Sequence, residues 1–306
     1  MASFSSWPRP TKTYHTKTYD RIAHHHGFDG KGKTIVITGG ASGVGLSISK
    51  AFAAAGVARL VIVSRSPGPQ EKAKAALEAA FPSLEVAIVR ASITDLAGGQ
   101  QQQDALLAQI LRGGPGGDTA DVLILCAGNV PRRAPAVDAD TAEVREAFDT
   151  NAVAAFGLAR AYLSPETPNP PGGCKTVLNV SSAAALVQGT LRVGYGSSKA
   201  AGAQVMQHFA FEHMQQAGSG DAGRVKVISF HPGSFYTPSV AALYAEDHFQ
   251  WDDFSLPADF SLWLAGPESG FLNGRYVWAH WDVDELMALK ERVVNDPKYL
   301  TIGLIM

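Results

Sequence analysis

Short runs of apolar and β-branched residues recur along the chain, separated by longer alanine-rich stretches. The runs are Thr34–Ile37, Leu60–Val63, Leu84–Val89, Val122–Leu125, Thr176–Val180 and Val225–Phe230. Between them, residues 44–55, 69–80, 100–112, 140–163 and 195–217 are long enough for helices that cross back over a sheet. Nearly continuous apolar strands are covered on both faces, and regular strand–helix alternation predicts a parallel sheet. The breakers agree. Arg112–Gly117 and Asn169–Gly173 each fall between a helix and the next strand, where the backbone must turn. The alternation resumes after both, so neither reads as a linker. The pattern predicts an α/β chain with a doubly wound parallel sheet in a single domain, residues 31–306. An N-terminal extension covers 1–30, and a less regular segment covers about 234–270.

Composition narrows the function. A domain of this size, 306 residues, buries about 75% of the surface of its unfolded chain and needs no disulfide or metal for stability. The only cysteines, Cys126 and Cys174, cannot make a disulfide framework, so a reducing compartment is expected. Lysine and arginine total 26 against 28 acidic residues, a net charge of −2, which leaves no electrostatic footprint for nucleic acid or an anionic membrane. The N-terminus lacks an apolar core of signal-peptide length, and no run of about 18 apolar residues occurs. A soluble cytoplasmic protein is expected. Arg9, Lys12, Lys17, Arg21, Lys31 and Lys33, interrupted by Asp20 and Asp29, read as a solvated arm.

Candidate chemistry begins directly after the first strand. Thr38-Gly39-Gly40-Ala41-Ser42-Gly43-Val44-Gly45 stands where a strand turns into a helix. Glycines there let the backbone approach a pyrophosphate, and the helix start offers free N–H groups with positive partial charge. Tight turns also use glycine, but the strand-to-helix placement favours dinucleotide binding and a Rossmann-type sheet. Gly39, Ser42, Gly43, Val44 and Gly45 are the candidate contacts. The second strand ends in Ser64-Arg65-Ser66. An acid at that place would select NAD through the ribose 2′-hydroxyl. A guanidinium suits a 2′-phosphate instead, so NADP(H) is the expected cofactor.

Tyr195 and Lys199 stand four apart, on one face of a helix. Such a pair also arises by chance, and its context decides the reading. The fifth strand ends in Ser181-Ser182 shortly before it, and ligands of open parallel sheets bind at the carboxyl ends of strands. With Thr38-Gly39-x-x-x-Gly43-x-Gly45, Cys126-Ala127-Gly128, Asn151, Ser182, Tyr195-x-x-x-Lys199, and Pro232-Gly233 followed by Thr237 in this order, the chain resembles the short-chain dehydrogenase/reductase family over about residues 33–280. The final segment, Phe271–Arg275 and Trp281–Leu286, is similar to fungal members, many of which serve secondary metabolism.

The resemblance implies a catalytic set of Asn151, Ser182, Tyr195 and Lys199. Tyr195 would exchange a proton with the substrate oxygen. A free phenol keeps its proton up to about pH 10, so a neighbouring cation is required, and Lys199 would supply it while holding the nicotinamide ribose. Ser182 would hydrogen-bond the substrate oxygen, and Asn151 would anchor a proton-relaying water. Implied cofactor contacts add Ser92, Ile93, Cys126, Ala127, Gly128, Pro232, Gly233, Phe235 and Thr237. Ser92 replaces a common Asp and Cys126 a common Asn, both on the cofactor side. The implied activity is reduction of a carbonyl, or oxidation of an alcohol. The alternative is a cofactor-binding protein without turnover, and relatives of that kind usually lose tetrad residues. A homodimer or homotetramer through the helices 140–163 and 195–217 is implied as well.

Several features have plainer readings. His24-His25-His26 cannot converge easily on one ion, so no metal is expected. Cys126 has no activating neighbour in sequence and reads as a small buried thiol. Ser181 should face away from Ser182. Ser182 with His208, His213 and His231 suggests a hydrolase only weakly, because no Gly-x-Ser-x-Gly elbow exists. Aromatics crowd residues 235–263: Phe235, Tyr236, Tyr244, Phe249, Trp251, Phe254, Phe260 and Trp263. They predict a lid over a bulky, largely apolar substrate, or else packing rings. The apolar tail Leu300–Met306 should dock on its own chain or on a neighbour.

Overall fold

The structure, a computed structural model, describes residues 7, 9–23, 27–94, 100–112, 119–187, 189–216, 225–241 and 245–303. His24–His26, Tyr244, the glycines of 113–117 and the last three residues lie outside them. The elements in chain order are α1 (Asp20–Ala23), β1 (Thr34–Thr38), α2 (Gly43–Ala54), β2 (Arg59–Ser64), α3 (Pro67–Ala80), β3 (Glu85–Arg90), α4 (Gln100–Arg112) and β4 (Val122–Leu125). Next come α5 (Thr141–Phe148), a π-helical turn (Asp149–Ala154), α6 (Ala155–Leu163), β5 (Lys175–Val180), α7 (Val193–Gln216), β6 (Val225–His231) and α8 (Pro238–Ala241). The chain closes with α9 (Ser255–Ala265), β7 (Tyr276–Trp278), α10 (Val283–Ala288) and α11 (Lys290–Asn295).

Seven parallel strands form one sheet in the order β3-β2-β1-β4-β5-β6-β7. Strand residues alternate between its two faces. Ile35, Ile37, Ile62, Ile124, Leu178 and Phe230 pack on one side with Phe52 of α2, Leu77 of α3 and Phe260 of α9. Val36, Val61, Leu123, Val177 and Val227 pack on the other with Ile110 of α4, Leu158 of α6 and Met206 of α7. Full burial of such a side chain contributes about 1.5–3 kcal/mol, so both helical layers are held by apolar contact. The chain is a Rossmann-like single domain, doubly wound as expected. The order reverses between β1 and β4, and that switch point opens a crevice at the carboxyl ends of the strands.

Three expectations change. The N-terminal arm is only partly solvated, with Lys12, Lys17 and Lys31 exposed. Ile22 and Phe28 join the core, Tyr14 bridges to Trp281, and Arg21 binds Glu268 and Asp284, each at 2.8 Å. Acidic partners from the C-terminal third hold Arg21 on the surface. The segment at 234–270 is not one lid either. Leu256, Phe260, Trp263 and Leu264 of α9 are buried, because their apolar face closes over α2. Strand β7 has no counterpart in the apolar pattern, since three residues carry no measurable period. The described part of the tail docks on its own chain: the Tyr276 N–H donates to Leu300 O at 2.7 Å, and Ile302 N–H to Gln207 Oε1 at 2.9 Å. No helix among the described residues is long and apolar enough to cross a membrane.

Candidate active site

The carboxyl ends of β1 to β6 bring the expected residues to one edge of the sheet. At the end of β1, Gly39 has φ +71°, and a Cβ there would lie 3.1 Å from Ala127 Cα. A Cβ on Gly45 would lie 2.2 Å from Gly39 O, so this tight turn into α2 admits only hydrogen at that place. Ser42 is the N-cap of α2 without a side-chain capping bond, which leaves the first N–H groups facing outward from Gly43, Val44 and Gly45. These residues fit a dinucleotide pyrophosphate. Thr38 Oγ1 accepts the Cys126 and Ala127 N–H groups at 3.0 and 3.1 Å. The β1 turn and the loop after β4 are thereby locked together.

Ser64 ends β2 in register with Arg90 of β3, and Arg65 follows it, exposed. Ser92 Oγ and Thr94 Oγ1 are 2.7 Å apart, while the Ile93 side chain is buried with Val63 and Val89. Pro232, Gly233, Phe235 and Thr237 follow β6. Thr237 Oγ1 accepts the Val240 N–H at 3.3 Å, opening α8. These residues lie at the carboxyl ends of strands that are adjacent in the parallel sheet but not in sequence.

Asn151 sits in the π-helical turn between α5 and α6, a local widening that often marks functional sites. Its Oδ1 accepts the Asn129 N–H at 2.9 Å, and its Nδ2 donates to Asn129 O at 2.8 Å and to Ser198 Oγ at 2.9 Å. Ser198 Oγ in turn donates to Tyr195 O at 3.0 Å. Asn151 therefore ties the loop after β4 to the first turn of α7. The buried Lys199 Nζ donates to Val180 O at 3.0 Å, at the end of β5. A Cβ on Gly128 would stand 3.3 Å from Asn151 Oδ1 and 3.4 Å from Lys199 Nζ. Glycine keeps that approach open.

Ser182 and Tyr195 line one cleft of about 1300 Å³ with Phe235, Phe249 and Trp251. Ser181 is buried and absent from the cleft wall, in keeping with strand alternation. The cleft is less apolar than expected, since Arg132, Arg133 and Arg192 also line it. Burial pushes the Cys126 thiol up to about 11, against a smaller opposite pull from Lys199. Lys199 is a basic neighbour that the sequence did not reveal, yet desolvation outweighs it. His208 is exposed, and His213 lines a groove at the amino ends of the strands. A Ser–His arrangement with either is therefore excluded.

Two contributors escaped sequence reasoning. Ser198 carried no signal beyond its place between Tyr195 and Lys199. Tyr276 of β7 donates its buried hydroxyl to Ser182 O at 2.6 Å, and burial pushes its phenol up, keeping it protonated. Among the described residues, no group of three His, Cys, Asp or Glu side chains could hold a metal ion.

The family model for short chain dehydrogenases matches residues 33–248. A short chain dehydrogenase/reductase of Aspergillus novofumigatus is 57% identical over 305 residues, covering 100% of both chains. One from Claviceps purpurea is 53% identical over 303 residues, covering 99% of this chain and 97% of its own. Among solved structures, a 3-oxoacyl-[acyl-carrier protein] reductase from Brucella melitensis superposes with TM-score 0.65 at 21% identity, covering 82% of this chain and 96% of that chain. A short chain dehydrogenase from Shigella flexneri, complexed with NADP, gives TM-score 0.68 at 20% identity, covering 82% and 98%. With a match over most of its length and relatives this similar, the chain belongs to the short-chain dehydrogenase/reductase family, oxidoreductases that use NAD(P)(H) on small molecules.

Proposed function

We propose that this chain is an NADP(H)-dependent carbonyl reductase, acting in reverse as an alcohol dehydrogenase, on a bulky ketone or aldehyde. The observation that carries the reading is the shared cleft. Ser182 and Tyr195 line it, and Lys199 stands behind them, tethered to Val180 O. Ser182 holds the substrate oxygen. Tyr195 delivers a proton to that oxygen, one helical turn from the Lys199 ammonium. Asn151 holds the first turn of α7 and the loop after β4 in place. When bound, the dinucleotide supplies the hydride, so one hydride and one proton convert carbonyl to alcohol. Arg65, exposed after β2 with no acid beside it in sequence, supports NADP(H) over NAD(H). The Shigella flexneri neighbour complexed with NADP fits this choice.

Phe235, Phe249 and Trp251 suit a largely apolar body, and the three arginines of the cleft suit polar substituents on it. The similarity to Aspergillus and Claviceps proteins supports a place in fungal secondary metabolism. A homodimer or homotetramer is supported by exposed Val153 and Phe156, the latter stacked on Phe209 of α7 at 5.7 Å.

The test is Tyr195→Phe, assayed with NADPH and a panel of carbonyl compounds. Turnover should be lost while NADPH affinity stays within about threefold, because only the proton donor is removed. Full activity in that variant would refute the assignment. Wild-type protein that binds NADPH but stays silent across the panel would favour a role without turnover.

A further inference from the structure

The loop Pro232-Gly233-Ser234 leaves β6 at the edge where the dinucleotide is assigned, and a buried carboxylate–imidazole pair stands directly behind it. Asp252 Oδ2 accepts the Ser234 N–H at 2.7 Å and His280 Nε2–H at 2.9 Å. The Asp252 N–H returns to Ser234 O at 2.8 Å. The side chains of Asp252 and His280 are 5% and 0% exposed. Gly233 has φ +124°, and a Cβ there would lie 2.8 Å from Asp252 Oδ2. The loop is thus closed down on the carboxylate, and glycine alone fits between them.

The N-terminal arm supports the pair from behind. The Tyr14 ring stacks on His280 at 4.5 Å with an interplanar angle of 13°. The His15 N–H donates to His280 O at 2.8 Å, and the Asp253 N–H to Thr16 O at 2.8 Å. Burying a carboxylate is unfavourable unless its lone pairs are satisfied. Here the donors that satisfy it are a backbone amide of the loop and an imidazole held by the arm. The arrangement therefore transmits the arm's position to the loop.

We propose that Asp252 and His280 are positioning residues that clamp the 232–234 loop for the nicotinamide end of the cofactor, with the N-terminal arm bracing the clamp through Tyr14. This rests on the reductase reading above. Ser234 and Phe235 line the cleft beside Tyr195, so a displaced loop alters that end of the site. The pyrophosphate turn at Gly39–Gly45, on β1, is held by other bonds.

The test compares two ligands on the full-length protein: NADPH, and ADP-ribose 2′-phosphate, which lacks only the nicotinamide. Losing a hydrogen bond to a charged acceptor should make Asp252→Ala bind NADPH about tenfold more weakly. Its affinity for ADP-ribose 2′-phosphate should change less than about twofold, since those contacts lie on other strands. Asp252→Asn, which still accepts the Ser234 N–H, should restore most of the loss, and Tyr14→Leu should show about a threefold loss for NADPH alone. Unchanged NADPH affinity in Asp252→Ala would overturn the proposal. So would an equal loss for both ligands, which marks a merely structural carboxylate. If Asp252→Ala does not fold, an unchanged ratio of NADPH to ADP-ribose 2′-phosphate affinity in Tyr14→Leu overturns it. Wild-type protein that binds neither ligand would instead overturn the reductase reading, and the clamp with it.

Discussion

Tyr276 reaches Ser182 across 94 positions of sequence. Its hydroxyl pins the backbone carbonyl of the residue assigned to hold the substrate oxygen, while Ser182 Oγ itself accepts the Ala184 N–H at 3.2 Å. Both contacts limit how that serine can turn. Tyr276→Phe removes one hydrogen bond and leaves a half-buried carbonyl short of a donor, a change of about 1–3 kcal/mol. The expected outcome is a kcat reduced about tenfold with little change in NADPH affinity, read from steady-state kinetics beside a binding titration. Cys126 shows the opposite case, in which the plain reading of one residue survives its surroundings. The fold brings Lys199 close to the thiol, but burial dominates and holds it at about 11, well above the range of an activated nucleophile.

At the scale of elements, the long helix expected over 140–163 is two helices joined by a π-helical turn. No pattern of apolar residues announces such a turn, because the extra residue shifts the helical face by less than the width of the buried stripe. Its consequence lies across the interface. A Cβ on Gly202 of α7 would stand 2.3 Å from Asn151 O, so the kinked turn and α7 meet through bare backbone. Gly202→Ala should force them apart and lower stability by about 1–3 kcal/mol, measured by urea unfolding. It should also lower kcat, because Asn151 and Ser198 are bonded across the same contact. Strands β1 to β6 and helices α2 to α4 were legible within a residue or two. Each carries the apolar pattern of burial on both faces, or a long amphipathic run.

For the whole molecule, the parallel sheet gathers the strand ends at one edge and leaves apolar side chains exposed on the outer helices. Exposed Val153 and Phe156 on the π turn and α6 offer an apolar surface beside Phe209. Phe156→Glu should convert the proposed oligomer into monomer by placing a charge in a face that needs to be dry. Sedimentation velocity at several concentrations reads the result. An unchanged mass would move the interface elsewhere. At the same scale the N-terminal arm changes character. Its basic residues look solvated in sequence, and Lys12 is exposed, but Arg21 finds Glu268 and Asp284, and the backbone N–H groups of Lys12 and Thr13 find Glu285 at 2.5 and 3.1 Å. Charge alone does not reveal which partner lies nearby.

What the sequence determined by itself is whatever depends on local period and local chemistry. The six main strands, the glycine turn after the first, and the Tyr195–Lys199 spacing are all written in neighbouring residues. The tertiary structure alone decided which distant segments meet: Tyr276 on Ser182, Asp252 on Ser234, the arm on His280, and α9 folded into the core in place of a full lid. The reason is physical. Backbone periodicity is enforced by hydrogen bonds and burial within a few residues, whereas contacts between remote segments depend on the packing of whole layers, which no short stretch of chain encodes.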